Sequence, residues 1–263
     1  MDPYANLDRP PLRERALASA LAGDGYEVSV VQEAASTNAL LADRARAGAP
    51  EGTVVVAEVQ TAGRGRQGRS WQSPPRAGLT FSVLLRPPAV SGWLPLLAGL
   101  SVAVALREHA AVDAGVKWPN DVLIGTGHED SPGRKVAGLL AEVPAGAAGA
   151  VIIGVGLNVT TRADELADPR ATSLALEGAG TTDRETLLKV MLRALSRAYA
   201  SWRADPAALM PAYRAACVTL GHRVRVELPG GKAYEGLATD VDAEGRLVVG
   251  SASFAAGDVI HLR

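Results

Sequence analysis

The segment that most restricts this chain is Gln60-Thr-Ala-Gly-Arg-Gly-Arg-Gln-Gly-Arg-Ser-Trp71, which follows the apolar run Thr53–Ala57. An apolar strand that empties into three glycines and three arginines is built to surround an anion. Glycine lets backbone N–H groups approach a ligand closely, and guanidinium forks bind phosphate or carboxylate oxygens in pairs while staying charged. The spacing Gly63-x-Gly65-x-x-Gly68 is that of dinucleotide-binding loops, but that fingerprint requires the third glycine to open a crossover helix. Ser73-Pro74-Pro75 follows within a few residues and stops any such helix. The next apolar run, Leu79–Leu85, reads as a strand, and no Gly-Lys-Ser/Thr follows the glycines, which excludes a Walker loop. A basic surface loop, or one that touches nucleic acid, stays open on this segment alone.

Composition narrows these options. With 263 residues, 48% of them hydrophobic and 21% charged, the chain can bury one large core with a small appended domain. A net charge of -1 and 4% aromatic residues argue against nucleic acid as the main partner. Cys217 is the only cysteine, so no intrachain disulfide can form and a reducing compartment is expected. Met1-Asp-Pro-Tyr-Ala-Asn6 lacks the features of a signal peptide. No run approaches the roughly 18 apolar residues of a membrane span, so a cytoplasmic protein with no membrane partner is expected.

Periodicity predicts a short helix over 11–22, a strand over 26–31, a helix from Ala39 to Arg46 and strands at 53–59 and 79–85. A long apolar helix over 94–109 follows, then strands near 122–124, 135–143 and 150–159, and helices over 184–203 and 206–216. This order suggests an α+β fold with a mixed, largely antiparallel sheet. Past Cys217 the pattern changes to short strands at 224–228, 234–241, 247–249 and 259–262, joined by Pro229-Gly-Gly231 and Asp242-Ala-Glu-Gly245. Such spacing predicts a small β-barrel. The expected division is 1–217 and 218–263.

Four further segments carry polar chemistry. Ser36-Thr37-Asn38 precedes a helix and could cap it. Lys117-Trp-Pro-Asn120-Asp121 sets a cation, an aromatic, an amide and a carboxylate around a proline, and taken alone reads more readily as a turn. Arg134-Lys135-Val-Ala-Gly138-Leu-Leu-Ala-Glu142 holds one of only four lysines, and Gly154-Val-Gly156-Leu-Asn158 ends an apolar run in an amide. Taken in order with the glycine–arginine loop, these segments resemble the biotin protein ligase family in its actinobacterial form, strongly over about residues 30–160 and more loosely to Arg263.

That resemblance implies a class II synthetase-like ligase core, a C-terminal SH3-like barrel, and ATP, Mg²⁺ and biotin as the small molecules handled. Ser36, Thr37, Asn38, Gln60, Gly63, Gly65 and Gly138 match biotin-contacting positions, and Arg64, Arg66 and Lys135 match residues that meet both biotin and the reacting phosphate. Arg69, Trp71, Lys117, Asn120, Asp121 and Asn158 fall where ATP is handled, with Asp121 the candidate Mg²⁺ ligand. The implied partner is the biotin carboxyl carrier domain of acyl-CoA carboxylases, and the implied state is a monomer or weak dimer. Only about 35 residues precede Ser36, fewer than an independent DNA-binding domain of roughly 50 needs, so a ligase without DNA binding is expected. Lipoate ligase or another acyl-adenylating protein ligase would share this core and reaction. The four histidines, 109, 128, 222 and 261, lie outside every motif and are read as structural or exposed.

Overall fold

The computed structural model describes residues 9–125, 133–228 and 230–262; Met1–Asn6, His128, Pro229 and Arg263 lie outside the described residues. Seven strands form the main sheet: β1 (Glu27–Ala34), β2 (Thr53–Gln60), β3 (Gly78–Leu85), β4 (Ala114–Lys117), β5 (Asp121–Ile124), β6 (Arg134–Glu142) and β7 (Val151–Asn158), in the order β1-β2-β3-β7-β6-β5-β4. Only β1 and β2 run parallel, because the helix α2 (Thr37–Arg46) carries the chain back between them; every other pair is antiparallel. The mixed sheet expected from the sequence is therefore present.

All eight residues of β3 and of β7 are buried, so these central strands are covered on both faces and present none to solvent. On one face, Val54 and Val56 join a core built with α1 (Glu14–Leu21), α3 (Trp93–Ala110), α4 (Arg184–Ala204) and α5 (Met210–Ala216). Val55 points the other way, into a smaller cluster with Leu41, Ala45, Leu84 and Ile152 beneath α2. The helix α3 is apolar all round and lies buried between the sheet and α4. Among the described residues no helix is long and apolar enough to cross a membrane.

The tail forms β8 (Arg223–Glu227), β9 (Ala233–Val241), β10 (Leu247–Val249), β11 (Ala252–Phe254) and β12 (Asp258–His261), an antiparallel sheet in the order β11-β10-β9-β8-β12. The short strands β4 and β11 were not anticipated. The helix expected from 206 begins only at Met210, with Pro211 in its first turn, because Asp205 ties the preceding residues into a turn through Ala207 N–H. The tail is docked through two indoles: Trp93 Nε1 donates to Ala243 O at 2.9 Å and Trp118 Nε1 to Gly245 O at 3.1 Å. The two backbones meet so closely that a Cβ on Gly92 would lie 2.6 Å from Glu244 O. Trp118, inside the Lys-Trp-Pro-Asn-Asp segment, thus holds the C-terminal sheet against the main one.

Candidate active site

Side chains alternate between the faces of a sheet, and the register of β3, β6 and β7 decides what the α2 face presents. Thr80 stands opposite Gly156 and Ser82 opposite Gly154, while Gly138 and Leu140 pair those glycines from the other side. Three glycines in one patch leave the sheet bare, and a cavity of about 480 Å³ opens over them. The glycines are required by their neighbours: a Cβ on Gly154 would lie 2.3 Å from Asn38 Oδ1, and one on Gly156 would lie 2.3 Å from the Trp71 ring.

One part of the cavity is lined by hydroxyls and amides. Ser36 is the N-cap residue of α2, but its side chain makes no capping bond, contrary to the role its sequence position suggests, and the helix begins at Thr37 instead of Ala39. Gln60 Oε1 takes over, accepting from Thr37 N at 2.8 Å and from Thr37 Oγ1 at 3.1 Å. Ser82 Oγ lies 2.7 Å from Thr37 Oγ1 and 2.6 Å from Asn38 Oδ1, and Asn38 Nδ2 donates to Leu140 O and Glu142 Oε2. The helix start is thereby locked to three strands, and Ser36, Thr37, Asn38 and Gln60 all line the cavity.

The other part is cationic. The glycine–arginine loop folds back on itself through Gly65 N to Arg69 O and Trp71 N to Gly63 O, at 2.7 and 2.9 Å. A Cβ on Gly63 would lie 2.4 Å from Trp71 O, so this glycine serves the loop's closure and does not line the cavity. Arg64 pairs with Glu142 at 3.3 Å, and Arg66 donates to Asn120 Oδ1 at 3.1 Å and to Gly257 O at 3.3 Å. Arg69 reaches Asp258 at 2.8 Å. Burial pulls the Arg66 guanidinium below its ordinary pKa, an effect Asp258 opposes.

Lys135 Nζ lies 2.7 Å from Asp121 Oδ1, a close ion pair that lacks hydrogen-bond alignment, and 5.9 Å from the centre of the Trp71 ring. Asn120 and Asn158 line the cavity and anchor their amides on Leu139 O and Thr172 O. Lys117 and Asp121 do not line it. Lys117 sits behind, where burial first and nearby Arg170 and Lys135 next lower its ammonium pKa against the opposing pull of Asp121.

Sequence reasoning passed over several contributors. Ser82 and Thr80 are polar residues on a fully buried strand, a signal that was available. The wall formed by Leu166, Ala167, Asp168 and Ala171 carries no motif. His261, read as structural or exposed, does not line the cavity and is structural: its Nε2 is buried, it stacks on His222 with ring centres 5.3 Å apart, and it is pushed down to about 4 by burial, then by Lys117.

Comparison with known proteins identifies the family. The model of the biotin/lipoate A/B protein ligase family matches residues 30–158, and that of the biotin protein ligase C-terminal domain matches residues 219–262. The chain is 46% identical to the biotin–[acetyl-CoA-carboxylase] ligase of Mycobacterium tuberculosis over 97% of both sequences. Its fold is similar to that of the biotin protein ligase of Aquifex aeolicus in complex with biotin and ATP (TM-score 0.75, 29% identity, 90% of this chain and 99% of that one). It is also similar to the Leishmania major biotin protein ligase in complex with biotinyl-5-AMP (TM-score 0.60, 26% identity, 90% of this chain and 98% of that one). With both segments matched and near-complete coverage of a relative, the chain belongs to the biotin protein ligase family.

Proposed function

We propose that this enzyme condenses biotin with ATP to biotinyl-5′-AMP and then passes the biotinyl group to a lysine of a biotin carboxyl carrier domain. The observation that carries this reading is a single cavity that joins two chemistries: the hydroxyls and amides of Ser36, Thr37, Asn38 and Gln60, and the cations Arg64, Arg66, Arg69 and Lys135, with Arg64 meeting Asn38 through their shared partner Glu142. A neutral ring with hydrogen-bonding edges suits the first, and a carboxylate meeting a triphosphate suits the second. Residues 1–217 would bind and activate the small molecules, and 218–263 would support the loop that Gly257 and Asp258 touch.

In the first step a carboxylate oxygen of biotin forms a bond to the α-phosphorus, and the bond to pyrophosphate breaks. The carboxylate is already ionised, so no general base is needed; the obstacle is repulsion between anions. Lys135, Arg64 and Arg66 would offset it by positioning and charge. In doing so Lys135 would exchange Asp121, and Arg66 would exchange Asn120 and Gly257, for phosphate oxygens. In the second step the neutral amine of the acceptor lysine attacks the anhydride carbonyl and AMP leaves with the bonding pair, the amine's proton going to solvent or a nearby base.

The donor set also fits Mg²⁺. Among the described residues no group of three or more His, Cys, Asp or Glu could cage a metal, but Mg²⁺ on a nucleotide takes most of its ligands from phosphate and water. Asp121, which lies behind the cavity lining with its Oδ1 paired to Lys135 at 2.7 Å, would supply the protein's carboxylate once Lys135 turned to phosphate, and the ion would neutralise phosphate charge.

Lipoate shares the carboxylate but carries an apolar dithiolane in place of a ureido ring. A site lined with amides and hydroxyls rejects an analogue that leaves them unpaired. Calorimetric titration with each acid tests this: biotin binds and lipoate does not. Tighter binding of lipoate would overturn the assignment.

A further inference from the structure

The wall from Leu166 to Ala171 faces Lys135 and Asn158 across the cationic end of the cavity, and its two ends are held differently. At the far end it is paired to the catalytic strand itself, Lys135 N donating to Arg170 O at 3.0 Å and Thr172 N to Lys135 O at 2.8 Å. At the near end the hold comes from the start of the chain. Arg9, 5% exposed, donates through Nη1 and Nη2 to both Glu165 carboxylate oxygens, at 3.2 and 2.6 Å, and through Nη2 to Thr160 O at 2.8 Å. Glu165 Oε2 in turn accepts from Arg162 N at 2.8 Å, closing the turn that leads into the wall.

An anchor is only as firm as its own footing, and this one is tied into the core. Leu12 N donates to the buried Glu58 at 2.6 Å, Arg184 donates to Pro10 O at 2.5 Å, and Arg184 and Glu58 pair with each other at 2.6 Å. The chain from Arg9 to Leu12 is thus a strap, fixed at one end to the interior and gripping the wall of the site with a forked guanidinium at the other. The part of the cavity lined by hydroxyls and amides is held by a separate set of bonds among Gln60, Thr37, Ser82 and Asn38.

We propose that Arg9 is a positioning residue for the nucleotide end of the site: through Glu165 it sets the wall that confronts Lys135, and it does not influence the biotin end. The proposal rests on the ligase reading above. A misplacement of about 1 Å is enough to cost up to a hundredfold in a reaction governed by positioning, so Arg9→Met and Glu165→Gln each raise the KM for ATP by about ten- to a hundredfold and leave the KM for biotin unchanged. Because the two residues act as one unit, the double variant is no worse than the worse single one. Arg9→Lys, which keeps the charge but not the fork, restores part of the loss. Arg13→Ala is the control: Arg13, the residue after the strap, pairs with Glu185 on α4, away from the wall, so its loss alters melting and neither KM.

The experiment measures both KM values and the melting temperature for these variants, together with the rate of trypsin cleavage after the exposed Arg162 and Arg170. Faster cleavage there in Arg9→Met and Glu165→Gln, with the KM for ATP raised selectively, supports the strap. Cleavage requires no turnover, so if the wild-type enzyme fails to activate biotin the ligase reading falls while the strap is still judged on cleavage alone. A lowered melting temperature with unchanged KM for ATP and unchanged cleavage overturns the proposal. Should Arg9→Met not fold, Glu165→Gln, which keeps the side-chain volume, decides by the same criteria.

Discussion

Adding one methyl group at Gly154 discriminates sharply between a site floor and a merely well-packed strand. In Gly154→Ala the new Cβ would lie 2.3 Å from Asn38 Oδ1, 3.0 Å from its Cγ and 3.2 Å from its Nδ2. Relief requires the amide to retreat by about 1 Å, since ordinary contact begins near 3.5 Å. Asn38 is 4% exposed and its amide is held by Ser82, Leu140 O and Glu142, so it cannot retreat without straining those bonds. Two neutral hydrogen bonds at about 1 kcal/mol each and a charged one at about 2 set the ceiling near 4 kcal/mol. Overpacking in well-filled interiors usually costs about 1–3 kcal/mol. We therefore expect a loss of about 2–3 kcal/mol in urea unfolding, and biotin affinity weakened by about ten- to a hundredfold as Asn38 is displaced.

Gly156→Ala provides the contrast. Its Cβ would lie 2.3–2.7 Å from three atoms of the Trp71 indole, but that ring is only half-buried and its Nε1 has no hydrogen-bond partner. Trp71 can swing away at little cost, so stability stays near wild type and the defect appears in the KM for ATP. If Gly154→Ala melts normally and binds biotin with unaltered affinity, or if the two variants share one phenotype, the reasoning from the floor is refuted.

Three further outcomes are expected. Lys135→Met, which removes a half-buried ammonium near the start of β6 and keeps its backbone bonds, slows adenylate formation by about a thousandfold without lowering the melting temperature; near-normal pyrophosphate release contradicts the role given to it. The 63–69 loop, whose arginines rest on Glu142, Asn120 and Asp258, is cut by trypsin more slowly when saturated with biotin and ATP, and equal cutting argues against its closing on ligand. His261 has a folded pKa of about 4 against an ordinary 6.5, so the unfolded chain binds more protons between those values. Stability present at pH 7 is lost as the pH falls through 6.5 towards 4, by up to about 3 kcal/mol. The His261→Phe variant shows a shallower acid limb in pH-dependent unfolding, and an identical limb contradicts the assignment.

What could be read from the sequence was whatever depends on local patterning. The loop between β2 and β3, the apolar α3 and the change of rhythm after Cys217 all rest on glycine, proline and hydrophobic spacing, and each stands where it was expected. The floor of the cavity was half-legible: Gly154 and Gly156 stood out, but their partners Ser82 and Leu140 are chosen by strand register, which no single segment encodes. Capping of α2 was read onto the segment Ser36-Thr37-Asn38, yet Gln60 from a neighbouring strand accepts the bond from Thr37 N. Trp118 looked like part of a binding turn and instead docks the C-terminal sheet. The grip of Arg9 on Glu165 spans 156 positions, a separation at which sequence pattern carries no information.

The most direct test of the account is ATP–pyrophosphate exchange by the wild-type enzyme, measured with Mg²⁺ in the presence of biotin, of lipoate and of neither, followed by addition of a biotin carboxyl carrier domain and its Lys→Arg variant. The account predicts exchange only with biotin, and transfer of the label to the carrier with the lysine and not to the variant. Exchange that proceeds without biotin, or that lipoate supports and biotin does not, would contradict it.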